Sequence, residues 1–216
     1  MIDPELNRII SKSRINLYES CPHAFKLSYI DKVAGKKTYH LSRGSDLHEL
    51  LDDYYSMKWE DFFCHYLFDR YEPQIRLFLK SELSKTVPAH HELPLIHRDA
   101  GLRGVVDRVD ISGGEVVITD YKSGKMKDLS SFRFELSLYA ILFWVVHGVE
   151  PTHWGIYFID HGVFVREKID WDVMRDSLFK VNSFKHSVDC SLFPKKPKYG
   201  CRYCQFYKAG CDGFKK

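Results

Sequence analysis

Asp107, Asp120 and Lys122 are the residues whose types and spacing carry the most chemistry in this chain, and they share the stretch 101–122, GLRGVVDRVDISGGEVVITDYK. Val105, Val106, Val109 and Ile111 mark a buried strand with Asp107 inside it, where a bare carboxylate is costly and needs a compensating partner. Val116, Val117 and Ile118 lead into Asp120-Tyr121-Lys122, and two-residue alternation puts Asp120 and Lys122 on one strand face. A turn at Gly113-Gly114 pairs the two strands and lets both carboxylates converge beside the ammonium. Two oxygen ligands and one ammonium suit a hard cation and a developing anion. The cation takes the carboxylates and keeps waters, and the lysine stabilises an oxyanion or positions the attacking water. The competing reading of Asp-x-Lys alone is an exposed ion pair with no chemistry.

The elements that must position this trio lie on both sides of it. Gly44-Ser45-Asp46-Leu47-His48 reads as a helix start, capped by Ser45 or Asp46, with Leu47, Leu50, Leu51 and Tyr54 on the apolar face. His48 falls at the edge of that face, where a lone histidine is ordinarily structural or solvent-facing. Residues 11–30 read as two short helices meeting at Pro22, and 59–87 as one or two amphipathic helices divided near Pro73, with Cys64 in the core. Residues 90–95 read as a short strand, on which His90 and His91 point to opposite faces and are expected to be solvated. Residues 32–38 and 123–128 are basic loops. Phe132, Leu136, Tyr139, Ala140, Phe143 and Val146 give 132–147 the spacing of a strong helix. Two strands at 154–159 and 163–169 flank the turn Asp160-His161-Gly162, and a helix over 172–186 follows.

The C-terminal texture is different. Pro194, Lys195, Lys196, Pro197 and Lys198 precede Cys201-Arg202-Tyr203-Cys204, and Cys211 follows after six residues. A Cys-x-x-Cys with a third cysteine close by has metal-binding spacing, because the short loop lets two thiolates meet one centre; Cys190 is an alternative ligand.

Composition sets broad bounds. A chain of 216 residues with 44% hydrophobic content supports one main domain. A net charge of +3 neither demands nor excludes nucleic acid. The 13 tyrosines and 15 phenylalanines can stack on unpaired bases, although packing is the commoner use. No apolar run is expected to reach bilayer length, and Met1-Ile2-Asp3-Pro4 lacks a signal-peptide plan. A cytoplasmic location is therefore expected, with the six cysteines serving as metal or cluster ligands rather than a disulfide framework.

Gly104, Asp107, Arg108 and Asp110, then Asp120-Tyr121-Lys122-Ser123-Gly124 with a helix after them, resemble the core of the PD-(D/E)-x-K nuclease superfamily, in particular its RecB-like exonuclease branch. The resemblance continues in order along the chain. Gly44 and His48 match a G-x-x-x-H that gives a histidine to the catalytic metal, and Glu92 stands where relatives often carry a glutamate near the site. Glu135 and Tyr139 stand at a Q-x-x-x-Y element; an acid replaces the glutamine, which leaves Glu135 between metal ligand and ion-pair partner. Tyr18, Cys21, Pro22 and Phe25 match the Y-x-x-C-P-x-x-F that opens iron-sulfur members.

The resemblance implies an α/β (α+β) fold of restriction-endonuclease-like type, a mixed central β-sheet flanked by helices. It implies a single nuclease domain over 1–216, with a catalytic core at 90–147 and a cluster region at 11–30 plus 190–216. Mg²⁺ or Mn²⁺ would be held by His48, Asp107, Asp120 and the main-chain carbonyl of Tyr121, with Lys122 beside them. Cys21, Cys201, Cys204 and Cys211 would hold a 4Fe-4S cluster joining the two ends of the chain, as in the AddB nuclease domain and the small CRISPR-adaptation exonucleases; a structural Zn²⁺ is the alternative. The implied activity is exonucleolytic hydrolysis of DNA, single-stranded or with accessible ends, in recombination, repair, phage replication or CRISPR adaptation. Lys125, Lys127, the Lys195–Lys198 cluster and exposed aromatics would guide the strand. The alternative is a catalytically weak DNA-binding or assembly subunit that keeps the fold and the cluster.

Overall fold

The computed structural model describes residues 9–35 and 39–213, excepting the side chains of 39–42; Met1 to Pro4, and Lys36 to Thr38 of the predicted basic loop, lie outside them. The helices are α1 (Lys12–Ser20), α2 (Pro22–Phe25), α3 (Tyr39–Ser56), α4 (Trp59–Phe63), α5 (Phe68–Lys80), α6 (Arg133–His147) and α7 (Trp171–Asp189). The strands are β1 (His90–His97), β2 (Leu102–Ser112), β3 (Glu115–Lys122), β4 (His153–Phe158) and β5 (Val163–Lys168).

Gly113 and Gly114 have φ of 58° and 81°, the doubly left-handed geometry of a two-residue turn whose twist matches that of right-twisted strands. They join β2 to β3 in antiparallel register, with Ser112 opposite Glu115 and Arg108 opposite Thr119. Carried one residue further, that register brings Asp107 level with Asp120. β3 pairs in parallel with β4, which requires a crossover, and α6 lies within it. β4 then pairs antiparallel with β5, and the sheet order is β1-β2-β3-β4-β5. A mixed five-stranded sheet flanked by helices is the architecture expected of a restriction-endonuclease-like fold.

The chain divides into two compact units. One takes the described residues of Met1–Thr38, Ile96–Arg103 and Asp176–Lys216, and the other Tyr39–Leu95 and Gly104–Arg175. In the second unit, Leu47, Leu50 and Leu51 of α3, Phe62, Tyr71, Ile75 and Phe78 form a core with Tyr121, Tyr157 and Ile159. Each large apolar side chain buried there contributes roughly 1.5–3 kcal/mol. In the first unit, Ala24, Leu27 and Phe206 form a smaller core, and Tyr18, Phe25, Phe184 and Phe193 meet ring to ring beside α1 and α2.

Several local expectations are corrected. Helix α3 starts at Tyr39, so Gly44 lies inside it; a single glycine lowers helix stability without ending the helix. Val105 and Ile111 are exposed while Val106 and Val109 are fully buried, so β2 is covered on both faces only through its middle. The break between α4 and α5 falls at residues 64–67, ahead of Pro73. Tyr71 leaves helical geometry, so the proline sits in the first turn after a kink, where its missing N–H costs little. Cys64 is exposed rather than core. His90 and His91 are half-buried: His91 pairs with Asp52, and the His90 ring stacks near His147. Residues 129–147 are long and apolar enough to cross a bilayer by length and composition, against expectation, but half of that window is buried here and Glu135 is within it, which is the pattern of a core helix.

Candidate active site

β3 and α6 build the first half of the site. Alternation on β3 puts Asp120 and Lys122 on one face, and the Lys122 ammonium contacts Asp120 Oδ2 directly. The same ammonium lies 3.2 Å from Glu135 Oε2 in the first turn of α6, and one turn on, the Tyr139 hydroxyl donates to Glu135 Oε1 at 3.3 Å. Asp120 and Glu135 are only 2% and 5% exposed, so one ammonium balances two buried carboxylates. Gly104 on β2 makes room for the tyrosine: a Cβ there would stand 2.9 Å from Tyr139 Cε1. Gly104→Ala is therefore expected to displace the Tyr139 ring and cost about 1–3 kcal/mol, measured by urea unfolding.

β1, β2 and α3 supply the second half. Asp107 Oδ2 accepts the Tyr121 N–H at 2.5 Å, and its Oδ1 is 3.3 Å from His48 Nδ1. Glu92 Oε1 is 3.6 Å from the same nitrogen, while His48 Nε2 is 3.1 Å from the Tyr121 carbonyl oxygen. Glu92 has a φ of 41°, a left-handed geometry that costs a non-glycine residue about 1–3 kcal/mol and re-aims its side chain from the regular alternation of β1. His48, Glu92 and Asp107 bring their ligand atoms within 4.8 Å of one another, and His48 and Glu92 also line an open cleft of about 530 Å³ with Gly44, Ser45, Glu49 and Asp52.

The electrostatics follow from this crowding. Burial alone would depress the His48 imidazole, but the Asp107 carboxylate and then Glu92 outweigh it and push it up to about 10. Burial, then Asp107 and Glu135, push the Asp120 carboxyl well up. Burial opposes the Lys122 charge, but Asp120 and Glu135 more than restore it and hold the ammonium protonated. Asp107, Asp120, Glu92 and Glu135 thus outnumber the local cations, and Glu92 Oε1 is buried with no hydrogen-bond donor. A divalent cation meets both deficits, so the donor set fits one, with His48, Glu92 and Asp107 nearest to ligating positions. Asp120 lies beyond that triangle, tied to Lys122, and the Tyr121 carbonyl faces His48. Glu135 stands as the lysine's ion-pair partner, which its place in the sequence left undecided.

The loop after Lys122 is pinned by a residue read from sequence only as part of a turn. Asp160 accepts from Arg43, Gln74 Nε2 at 3.0 Å and the Gly124 N–H. Burial pushes its carboxyl up, but the Arg43 and Gly124 hydrogen bonds win and hold it below the usual range. A depressed folded-state value means stability present above the unfolded value near pH 4 and lost as pH falls through the folded one. Asp160→Asn is expected to flatten that acid limb, measured by unfolding midpoints between pH 6 and pH 3.

A second cluster, Glu49, Asp53 and His65, is not a good cation site. His65 Nδ1 accepts the Leu67 N–H at 3.2 Å, so Nε2 carries the proton it gives to Asp53 at 2.9 Å.

Of the cysteines, Cys21, Cys204 and Cys211 pack against the core of Ala24, Leu27 and Phe206, and Cys201 Sγ accepts the Lys198 N–H at 3.3 Å. Among the described residues no three cysteine sulfurs lie within 4.8 Å of one another, so the expected ligand set is not drawn around a single ion. The lysines expected to guide DNA also have local partners. Lys196 donates to Glu19 O at 3.0 Å and Lys198 to Ser20 Oγ at 2.8 Å, both at the C-terminal end of α1, and Lys195 pairs with Asp212 at 3.1 Å. Lys125 and Lys127 are exposed.

No curated protein matches the chain. The family model described as the PD-(D/E)XK nuclease superfamily matches residues 9–75 and 57–212. Those spans take in His48, Glu92, Asp107, Asp120, Lys122, Glu135 and Tyr139, the residues that the fold gathers from β1, the middle of β2, the end of β3 and the helices α3 and α6. The family's nucleases use divalent metals, in keeping with the donor set formed here, and the chain belongs to the PD-(D/E)XK nuclease superfamily.

Proposed function

We propose that this chain is a metal-dependent DNA exonuclease of the RecB-like branch, hydrolysing phosphodiester bonds at DNA ends. The observation that carries the proposal is the Lys122 ammonium, held by buried Asp120 and Glu135 on the same β-hairpin that presents Asp107 to His48 and Glu92. His48, Glu92, Asp107 and Asp120 would hold Mg²⁺ or Mn²⁺, the Tyr121 carbonyl becoming available when His48 turns to the ion. The bound ion would supply charge neutralisation at the scissile phosphate and acidity at a bound water. Lys122 donates toward the attacking water and toward charge building on the phosphoryl oxygens, and its two carboxylates fix its direction before substrate arrives. Glu135 and Tyr139 act through Lys122 by holding it.

The test follows end-labelled linear single- and double-stranded DNA, with closed circular DNA as the control, in Mg²⁺ or Mn²⁺. Metal-dependent shortening of linear strands only, reduced about a thousandfold in Asp107→Ala, is the expected result. Cleavage of the circles would make it an endonuclease. No shortening with either metal would point to the catalytically weak binding or assembly subunit.

The same proposal covers residues 1–216 as one cytoplasmic nuclease domain with a catalytic core at 90–147, and a 4Fe-4S cluster on Cys21, Cys201, Cys204 and Cys211. The support for this cluster is the Cys-x-x-Cys spacing of Cys201 and Cys204 with Cys211 close by, and the match of Cys21 to the opening element of iron-sulfur relatives. Anaerobic Cys204→Ala protein is expected to lose bound iron and to unfold at lower temperature, while Asp107→Ala keeps its iron. Zinc in place of iron in the native protein would refute the cluster.

A further inference from the structure

The turn Tyr199–Tyr203 carries an unusual surface. The Arg202 guanidinium lies 4.1 Å from the centre of the Tyr199 ring and 4.8 Å from that of Tyr203, and it donates to the Tyr199 hydroxyl. Yet the two tyrosines are 76% and 74% exposed. Aromatic rings ordinarily bury their area, and here two are fixed around one cation with most of their surface in water. Backbone bonds hold the turn, from Cys201 N to Lys198 O at 2.9 Å and from Cys204 N to Cys201 O at 3.0 Å.

The charge around this surface is mainly positive. Residues 190–212 contain Lys195, Lys196, Lys198, Arg202 and Lys208 and one acid, Asp212, which pairs with Lys195 at 3.1 Å. Lys196 and Lys198 rest on main-chain and hydroxyl oxygens, which position the ammonium groups without cancelling their charge. Flat π-faces for stacking, a guanidinium between them and fixed positive charge nearby are the elements that bind unpaired bases and the phosphates joining them. Duplex DNA keeps its base faces stacked inside and offers this surface phosphates alone.

We propose that Tyr199, Arg202 and Tyr203 form a stacking site for the unpaired bases of single-stranded DNA, with Lys196 and Lys198 facing the phosphates. The site shares no residue with the hydrolytic set and contributes binding, not bond cleavage. It rests on the reading that this chain acts on DNA.

The experiment measures fluorescence anisotropy of a labelled oligo-dT strand with the full chain in EDTA, so that no cleavage occurs. Tyr199→Ala and Tyr203→Ala are each expected to weaken binding about tenfold, and the double variant about a hundredfold, with unchanged thermal unfolding. Arg202→Ala is expected to lower the slope of log affinity against log salt by about 0.7, and Arg202→Lys to keep that slope while weakening binding. An abasic strand of equal length should bind the native chain as poorly as dT binds the double variant. Equal affinity for abasic, duplex and dT strands, or full affinity in the double variant, overturns the inference. Base-dependent binding by a chain that cleaves nothing overturns only the nuclease reading.

Discussion

Lys122→Met is expected to slow phosphodiester cleavage about a thousandfold, roughly 4 kcal/mol of lost transition-state stabilisation. The reason is geometric. This ammonium is the cation that the fold places between Asp120 and Glu135, already directed and largely withdrawn from water, so no reorganisation is needed as charge develops. The same change strips the counter-charge from two carboxylates that are 2% and 5% exposed, and stability should fall by about 3–5 kcal/mol. Adding Glu135→Gln to Lys122→Met removes one of the orphaned charges, so the double variant should regain part of the stability and none of the rate. Urea midpoints and turnover of end-labelled DNA separate the two effects. Recovery of the rate along with stability would show that Lys122 is only a structural cation.

Arg108→Met should produce the largest loss of stability outside that cluster, about 3–5 kcal/mol, or roughly 10 °C in unfolding temperature for a chain of this length. Arg108 follows Asp107 on β2 and therefore points to the opposite face of the sheet, where it is completely buried. Its Nε and Nη2 reach Asp110 at 2.7 and 2.6 Å, Nη1 reaches Leu83 O at 2.9 Å and the Tyr55 hydroxyl, and Nη2 reaches Thr86 Oγ1 at 2.7 Å. Burial opposes the guanidinium charge, but the Asp110 hydrogen bonds outweigh it, so it stays ionised. Methionine matches the length without the fork, so Asp110 and the Thr86 carbonyl, 3.2 Å from Nη2, lose this donor and Leu83 O keeps only the Tyr55 hydroxyl. Cleavage per folded molecule at low temperature should stay within a few-fold of native, since Arg108 and the hydrolytic residues lie on opposite faces. A shift in unfolding temperature of under 2 °C would show that solvent or neighbouring groups replace every one of these bonds.

How much of this could be read from the chain depends on the range of the interaction. The β2-β3 hairpin was legible because Gly113-Gly114 selects its own turn and fixes the register, which in turn brings Asp107 level with Asp120. Asp120 and Lys122 share a face by alternation alone, and the helix over Glu135 and Tyr139 follows from its apolar spacing. Family likeness then attached His48 and Glu92 to the site. Local pattern failed where tertiary contact decides. Arg108 stands in the chain only as a member of the motif with Asp107 and Asp110, and its burial is decided when Asp110, Thr86, Leu83 and Tyr55 close around it. Lys196 and Lys198 read as a DNA-facing run, and only the fold shows that each also donates a hydrogen bond to an oxygen at the end of α1. The left-handed φ of Glu92 has no signal in its neighbours at all.

The sequence by itself determined the hairpin, the pair Asp120 and Lys122 and the cysteine spacing, because turn chemistry and two-residue alternation act within a few residues. Only the tertiary structure decided that Glu135 pairs with Lys122, that His48, Glu92 and Asp107 form one donor set, and that Tyr199 and Tyr203 stand open around Arg202. These depend on where separate strands, helices and turns place their charges and on how much water that placement excludes, which no local stretch of chain encodes.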